Sequence, residues 1–255
     1  MIKRLAQTSP VIRTAVAVLS FLASLLAFWL LTGNLGIAAV IMGTVALHEL
    51  CHLIALRSYG IRSGIVFLVI LAFTYPVGQD SPEDLLDRMA RTFWVLPAGL
   101  IGNCLLGLAA LALINTWPLA GFVAMINFYL ALFNLLPMDI SDGGKILRFV
   151  TYFSPAKKRI NAVQAIVLAE IVGLLSAVYL MNIGRLDGFL GTFVQVFFGM
   201  DLLMQGLARW RRVRERLTPR LTEEGAWKWA LVYAVLLLIA IAGILLLPTG
   251  TSMIP

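Results

Sequence analysis

Apolar residues run through this 255-residue chain in long blocks, broken by short segments rich in charge, glycine or proline. A helix that crosses a bilayer needs about 20 mostly apolar residues. Blocks of about that length stand at 14–32, 35–56, 93–115, 119–136, 162–182, 188–206 and 226–247, which predicts seven spanning helices. The sixth is the most polar, carrying Gln195, Asp201 and Gln205. One apolar segment does not fit the pattern. Ile61 to Pro76 is short, partly β-branched and bounded by Gly60, Gly64, Pro76 and Gly78, which favours strands or a re-entrant hairpin over a helix. Within lipid, such backbone must be shielded by protein or line a cavity. Residues 80–91 then read as a short charged, amphipathic stretch. The expected fold is an all-α multi-pass membrane protein with a short membrane-associated β-hairpin or re-entrant segment after the second helix. No repeat, low-complexity tract or soluble domain is visible. Residues 1–255 therefore read as one membrane-embedded domain, with a core over about 35–150 and C-terminal helices over about 162–247.

Composition supports the bilayer as solvent. The chain is 60% hydrophobic and 13% charged, whereas soluble domains are about a quarter charged. The net charge of +7 does not point to nucleic acid, because the basic residues fall between apolar blocks. They instead set orientation by the positive-inside rule. With Lys3, Arg4 and Arg13 in the cytosol, the seven spans leave only Arg185, of 20 Lys and Arg, outside. If 188–206 merely lay on the surface, the basic run from Arg209 to Arg220 would face outward, against the rule. The expectation is a cell-membrane protein with its N-terminus cytosolic and its C-terminus outside. The apolar run from Ala15 to Leu31 is long for a signal-peptide core and more spans follow it, so a retained first helix is expected. Cys51 and Cys104 both lie inside apolar blocks and form no disulfide framework.

The chemistry gathers at His48-Glu49-Leu50-Cys51-His52. Positions i and i+4 lie on one face of a helix, one turn apart, so both imidazoles can share one Zn²⁺. Glu49 beside them can take a proton from an attacking water. Five residues match by chance often enough to mean little alone. These, however, are the only two histidines of the chain and lie in an apolar helix, where ionisable groups are costly and mark function. Counted back from Leu56, they lie roughly 6–12 Å below the cytosolic boundary at 1.5 Å per residue.

A catalytic zinc takes three protein ligands and keeps one position open. The third ligand is then Cys51 or a carboxylate from Asp80, Glu83, Asp84, Asp87, Asp139, Asp142 and Glu170. Two crossings separate the second and fourth helices, so the fourth ends on the same side as the second. Asp139 and Asp142 follow that end. Pro137 stops the helix, and Gly143-Gly144 permits a sharp turn close to a metal. Position favours Asp142. Asp80 to Asp87 read as a solvated face, and Glu170 as a mid-helix polar group. Asn127 and Asn134 share a helix face and read as interhelical glue, with Asn134 also able to brace the metal loop.

With these residues in view, the chain resembles the site-2 protease family of intramembrane metalloproteases. The resemblance rests on HELCH at 48–52, on Pro97-Ala98-Gly99 with Asn103 downstream, and on Asn134-Leu135-Leu136-Pro137 leading to Asp142-Gly143-Gly144. It implies that His48, His52 and Asp142 ligate zinc, that Glu49 activates water, and that Asn103 helps to position substrate or the developing oxyanion. The family's β-hairpin would correspond to about 61–76 and pair with an unwound substrate. Cys51 stands where glycine is usual, Leu100 where the common motif has proline, Ser141 where leucine often precedes the aspartate, and Asp139 where proline is frequent. Neither a PDZ-like insert nor a nucleotide-sensing appendage is visible.

The function expected is hydrolysis of a peptide bond in or near a membrane-spanning segment of a substrate protein, on the cytosolic side of the bilayer. Partners would be that substrate and the lipid bilayer, with no nucleic acid. The rival classes are a zinc-binding protein of metal transport or sensing, and an inactive protease-like scaffold.

Overall fold

The structure is a computed structural model and describes residues 7–68, 71–77, 94–136, 141–153 and 224–247. It is mostly helical. Helices α1 (Pro10–Thr32) and α2 (Leu35–Ser58) are followed by strands β1 (Ser63–Leu68) and β2 (Leu71–Pro76). Then come α3 (Val95–Ala112), α4 (Ala120–Leu135), α5 (Asp142–Phe153) and α6 (Glu224–Leu245). Three of them, α1, α2 and α3, are long and apolar enough to cross a membrane. The apolar blocks at 162–182 and 188–206 and the charged stretch at 80–91 lie outside the described residues, as do Asp80, Glu83, Asp84, Asp87, Asp139 and Glu170.

The chain divides into two compact units, Met1–Leu132 with Leu236–Pro255, and Phe133–Val235. In the first, the α1–α2 joint is two residues long. Gly33 ends α1 at φ 67°, a left-handed conformation that glycine adopts without penalty, and its N–H returns to the Trp29 carbonyl. Asn34 then caps α2, its side chain accepting the Ile37 N–H at 3.1 Å. Helix α1 inverts the polarity of a soluble helix. Val11 and Leu30 are 77% and 75% exposed, while Ser24 is buried. Lipid contact explains an apolar exterior over a polar seam.

The segment at 61–76 is a hairpin, as its β-branched residues and flanking glycines foretold. Strands β1 and β2 are antiparallel, with Ile65 opposite Thr74 and Phe67 opposite Ala72. Val77 N–H bonds the Arg62 carbonyl. Ladder alternation from that bonded pair makes Ile65–Thr74 and Phe67–Ala72 open pairs, whose backbone groups face away from the partner strand. Phe67 N–H accordingly donates outward, to the Ser20 hydroxyl of α1, at 3.1 Å. The Phe21 and Phe67 rings meet edge to face at 5.3 Å. Helix α1 therefore covers the outer edge of β1, and the outer edge of β2 is carried by Ala72 and Thr74.

Helices α3, α4 and the end of α6 close around Phe128, which is fully buried with Ala110, Val123 and Ala124. Gly107 and Gly243 face its ring so closely that neither has room for a Cβ. Asn127 donates to the Val123 carbonyl at 2.8 Å and to the Thr44 hydroxyl of α2 at 3.4 Å. It therefore ties two helices together, which is the glue role.

In the second unit, Ser141 organises the start of α5. Its hydroxyl donates to the Leu136 carbonyl at 2.5 Å and accepts the Gly144 N–H at 3.0 Å. The second bond has the spacing of an N-cap, which gives this departure from the family pattern a structural purpose. Tyr233 donates to the Leu135 carbonyl at 2.6 Å, satisfying another carbonyl at the end of α4. Gly143-Gly144 does not make the expected sharp turn. Both residues are helical, in the first turn of α5. Gly143 is required because a Cβ there would press on the Leu135 backbone.

Candidate metal centre

His48, Glu49 and His52 lie on α2 and all are buried. Helical spacing brings the two imidazoles together, with ring centroids 4.8 Å apart and Nε2 atoms 3.2 Å apart. Each ring is held from behind. His52 Nδ1 lies 2.7 Å from the carbonyl of Val95, at the start of α3. A carbonyl only accepts, so Nδ1 carries the proton and Nε2 presents its lone pair. His48 Nδ1 lies 3.1 Å from the side-chain amide of Asn103, which is fully buried on α3. An amide turned by 180° offers its oxygen in place of its nitrogen. With nitrogen toward the ring, Asn103 donates to Nδ1 and the His48 Nε2–H points at His52 Nε2; with oxygen toward the ring, Asn103 accepts from Nδ1–H and both Nε2 atoms can serve as metal donors.

The donor geometry fits zinc. Two nitrogens bound tetrahedrally at 2.0–2.1 Å stand about 3.3 Å apart, close to the 3.2 Å found here. Gly99 keeps the space beside them open. A Cβ at that position would come within 2.5 Å of His52 Nε2 and 2.7 Å of His48 Nε2. Asp142, in the second unit, is buried at the first position of α5 and pairs with Lys145 at 3.1 Å. His48 and His52 supply two nitrogen donors of the kind that could hold a metal ion.

Glu49 points elsewhere on the same helix. The Thr74 hydroxyl of β2 lies 2.7 Å from the Glu49 carboxylate and 3.0 Å from the Glu49 main-chain carbonyl, and can donate to either. The hairpin is thus fastened to the residue expected to act as base. Cys51 is half-buried and packs its sulfur against Gly102 of α3, where a Cβ would collide with it. A larger residue than the usual glycine is accommodated by a glycine opposite.

Three contributors escaped sequence reasoning. The Val95 carbonyl is backbone and leaves no trace in residue type. Gly99 was visible as part of Pro97-Ala98-Gly99, but only packing reveals that it borders the imidazoles. Thr74 is an ordinary strand residue between Phe73 and Tyr75, and nothing in the sequence marks it as a partner of Glu49.

Peptidase family M50 matches residues 101–179, a stretch that contains Asn103 and Asp142 but begins after the two histidines. The resemblance to the site-2 protease family holds. A zinc metalloprotease of Methanocaldococcus jannaschii is 27% identical over 146 residues, covering 52% of this chain and 41% of that protein. The chain thus spans about two-fifths of the length of this relative. No solved structure matches the present chain.

Proposed function

We propose that the chain is an intramembrane zinc metalloprotease that hydrolyses a peptide bond in or near a spanning segment of a membrane-protein substrate, on the cytosolic side of the bilayer. One observation carries this reading: two buried imidazoles, each fixed through Nδ1, converge their Nε2 atoms at 3.2 Å beside Glu49. His48, His52 and Asp142 would hold the zinc. When bound, the metal supplies Lewis-acid polarisation of water and of the scissile carbonyl. Glu49 takes the water proton and returns it to the leaving amine. Asn103 braces His48 through one half of its amide. Its other half, the buried Oδ1 as placed, meets no partner among the described residues. With the amide turned, that half becomes an N–H able to donate to the substrate carbonyl as negative charge develops.

Helix α2 runs to Ser58, so the histidines sit roughly 9–15 Å from its end at 1.5 Å per residue. That depth admits water from one surface and substrate from lipid. A substrate helix hides its carbonyls and must unwind before cleavage. An extended segment added to β2 would satisfy the exposed backbone by strand pairing. The resemblance to family M50 and to an archaeal zinc metalloprotease supports this reading.

The deciding test is Glu49→Gln in the purified, membrane-reconstituted protein, with zinc measured by mass spectrometry. A double-tagged single-span protein whose apolar segment carries Asn-Pro serves as cleavage probe. Zinc should be retained and cleavage should fall at least about 100-fold, the scale of a lost general base. Zinc lost from the variant, with no cleavage by the wild type, favours a metal-transport or sensing protein that uses Glu49 as a ligand.

A further inference from the structure

We propose that Thr74 is a positioning residue that couples substrate docking on β2 to the aim of Glu49; this rests on the protease reading above. Three observations meet at this residue. Its hydroxyl lies 2.7 Å from the Glu49 carboxylate, a strong contact because the acceptor is charged when Glu49 acts as base. Its partner across the hairpin is Ile65, in an open pair, so its own N–H and C=O face away from β1. The competing edge is already covered, since Phe67 N–H is held by Ser20. A substrate strand that pairs with the outer edge of β2 therefore bonds the main chain of the residue whose side chain holds the base.

The arrangement has a chemical consequence. A carboxylate beside a metal site has torsional freedom to face away from the water it must deprotonate. One fixed hydrogen bond to one of its oxygens restricts the rotation and leaves the other oxygen for proton transfer. The same hydroxyl lies 3.0 Å from the Glu49 main-chain carbonyl, so its one proton bonds Glu49 whichever of the two oxygens accepts it. Movement of β2 on substrate binding is thereby transmitted to the base rather than absorbed by the loop. Threonine suits the task because its β-branched body belongs in a strand while its hydroxyl donates.

The test compares Thr74→Val, which keeps the shape and removes the donor, with Thr74→Ser, which keeps the donor. Each is assayed in reconstituted full-length protein on the Asn-Pro single-span probe, beside wild type and Glu49→Gln. Thr74→Val should lower kcat by about 10- to 100-fold, the scale of one hydrogen bond to a charged group. KM and bound zinc should stay within twofold of wild type, and Thr74→Ser should recover most of the rate. Wild-type kcat in Thr74→Val overturns the proposal, and so does Thr74→Ser as impaired as Thr74→Val, because shape rather than donation would then matter. Zinc loss in Thr74→Val also overturns it, in favour of a purely structural role. If wild type and Glu49→Gln cleave alike, the protease reading itself fails, an outcome distinct from a failure at Thr74 alone.

Discussion

At the residue scale, the candidate site is shaped by what stands behind and beside the two imidazoles as much as by the imidazoles themselves. His48 and His52 are useful donors because Asn103 and the Val95 carbonyl hold their Nδ1 atoms, which turns both Nε2 atoms the same way. Gly99 contributes by having no side chain. Gly99→Ala should therefore weaken zinc binding by about 10- to 100-fold, the usual effect of disturbing the groups around a metal site. Zinc titration against a competing chelator measures this, and wild-type affinity in the variant would show that the space beside the imidazoles is not where the metal sits. Cys51 was the odd member of its motif in the sequence. Its sulfur fills the notch at Gly102, so it is a packing residue between α2 and α3.

At the element scale, the hairpin is the part of the fold that links structure to chemistry. Its outer edges are unequal. Helix α1 covers β1 through Ser20 and Phe21, whereas Ala72 and Thr74 carry the outward edge of β2. Proline is tolerated on an edge where its missing N–H would have pointed away from the sheet. Ala72→Pro should thus keep the hairpin and the zinc while removing a donor from an incoming strand, and reduce kcat/KM roughly tenfold. A proline at Phe67, whose N–H is engaged by Ser20, should cost stability instead, read as a lower unfolding temperature in detergent. Equal cleavage by Ala72→Pro and wild type would exclude strand addition at β2. The short length, β-branching and flanking glycines of 61–76 announced a hairpin. They could not say which edge α1 would cover, because those contacts come from a distant part of the chain.

At the scale of the whole molecule, the chain is built for lipid. Its exposed surface includes the apolar flank of α1, while Ser24, Thr44, Asn103 and Asn127 are buried. We propose seven spans with the basic residues inside, an arrangement that would put the C-terminus outside and that reporter fusions check. A phosphatase fused after residue 247 should be active outside the cell, and one fused after residue 60 should be inactive; activity after residue 60 would overturn the orientation. By itself, the sequence determined the membrane class, the hairpin, the boundaries of α2 to within two residues, and the meeting of His48 and His52 on one face of that helix. These follow from local physics: hydropathy over a span, and i to i+4 spacing on one helix. Charge and turn chemistry near Asp142 were read less well. Gly143 proved to be needed for close contact with Leu135 rather than for a turn, and Ser141 to be a cap. What only the tertiary structure decided were the contacts between elements far apart in sequence: Val95 behind His52, Gly99 beside both imidazoles, and Thr74 on Glu49. No local pattern encodes them, because they depend on how α3 and the hairpin pack against α2.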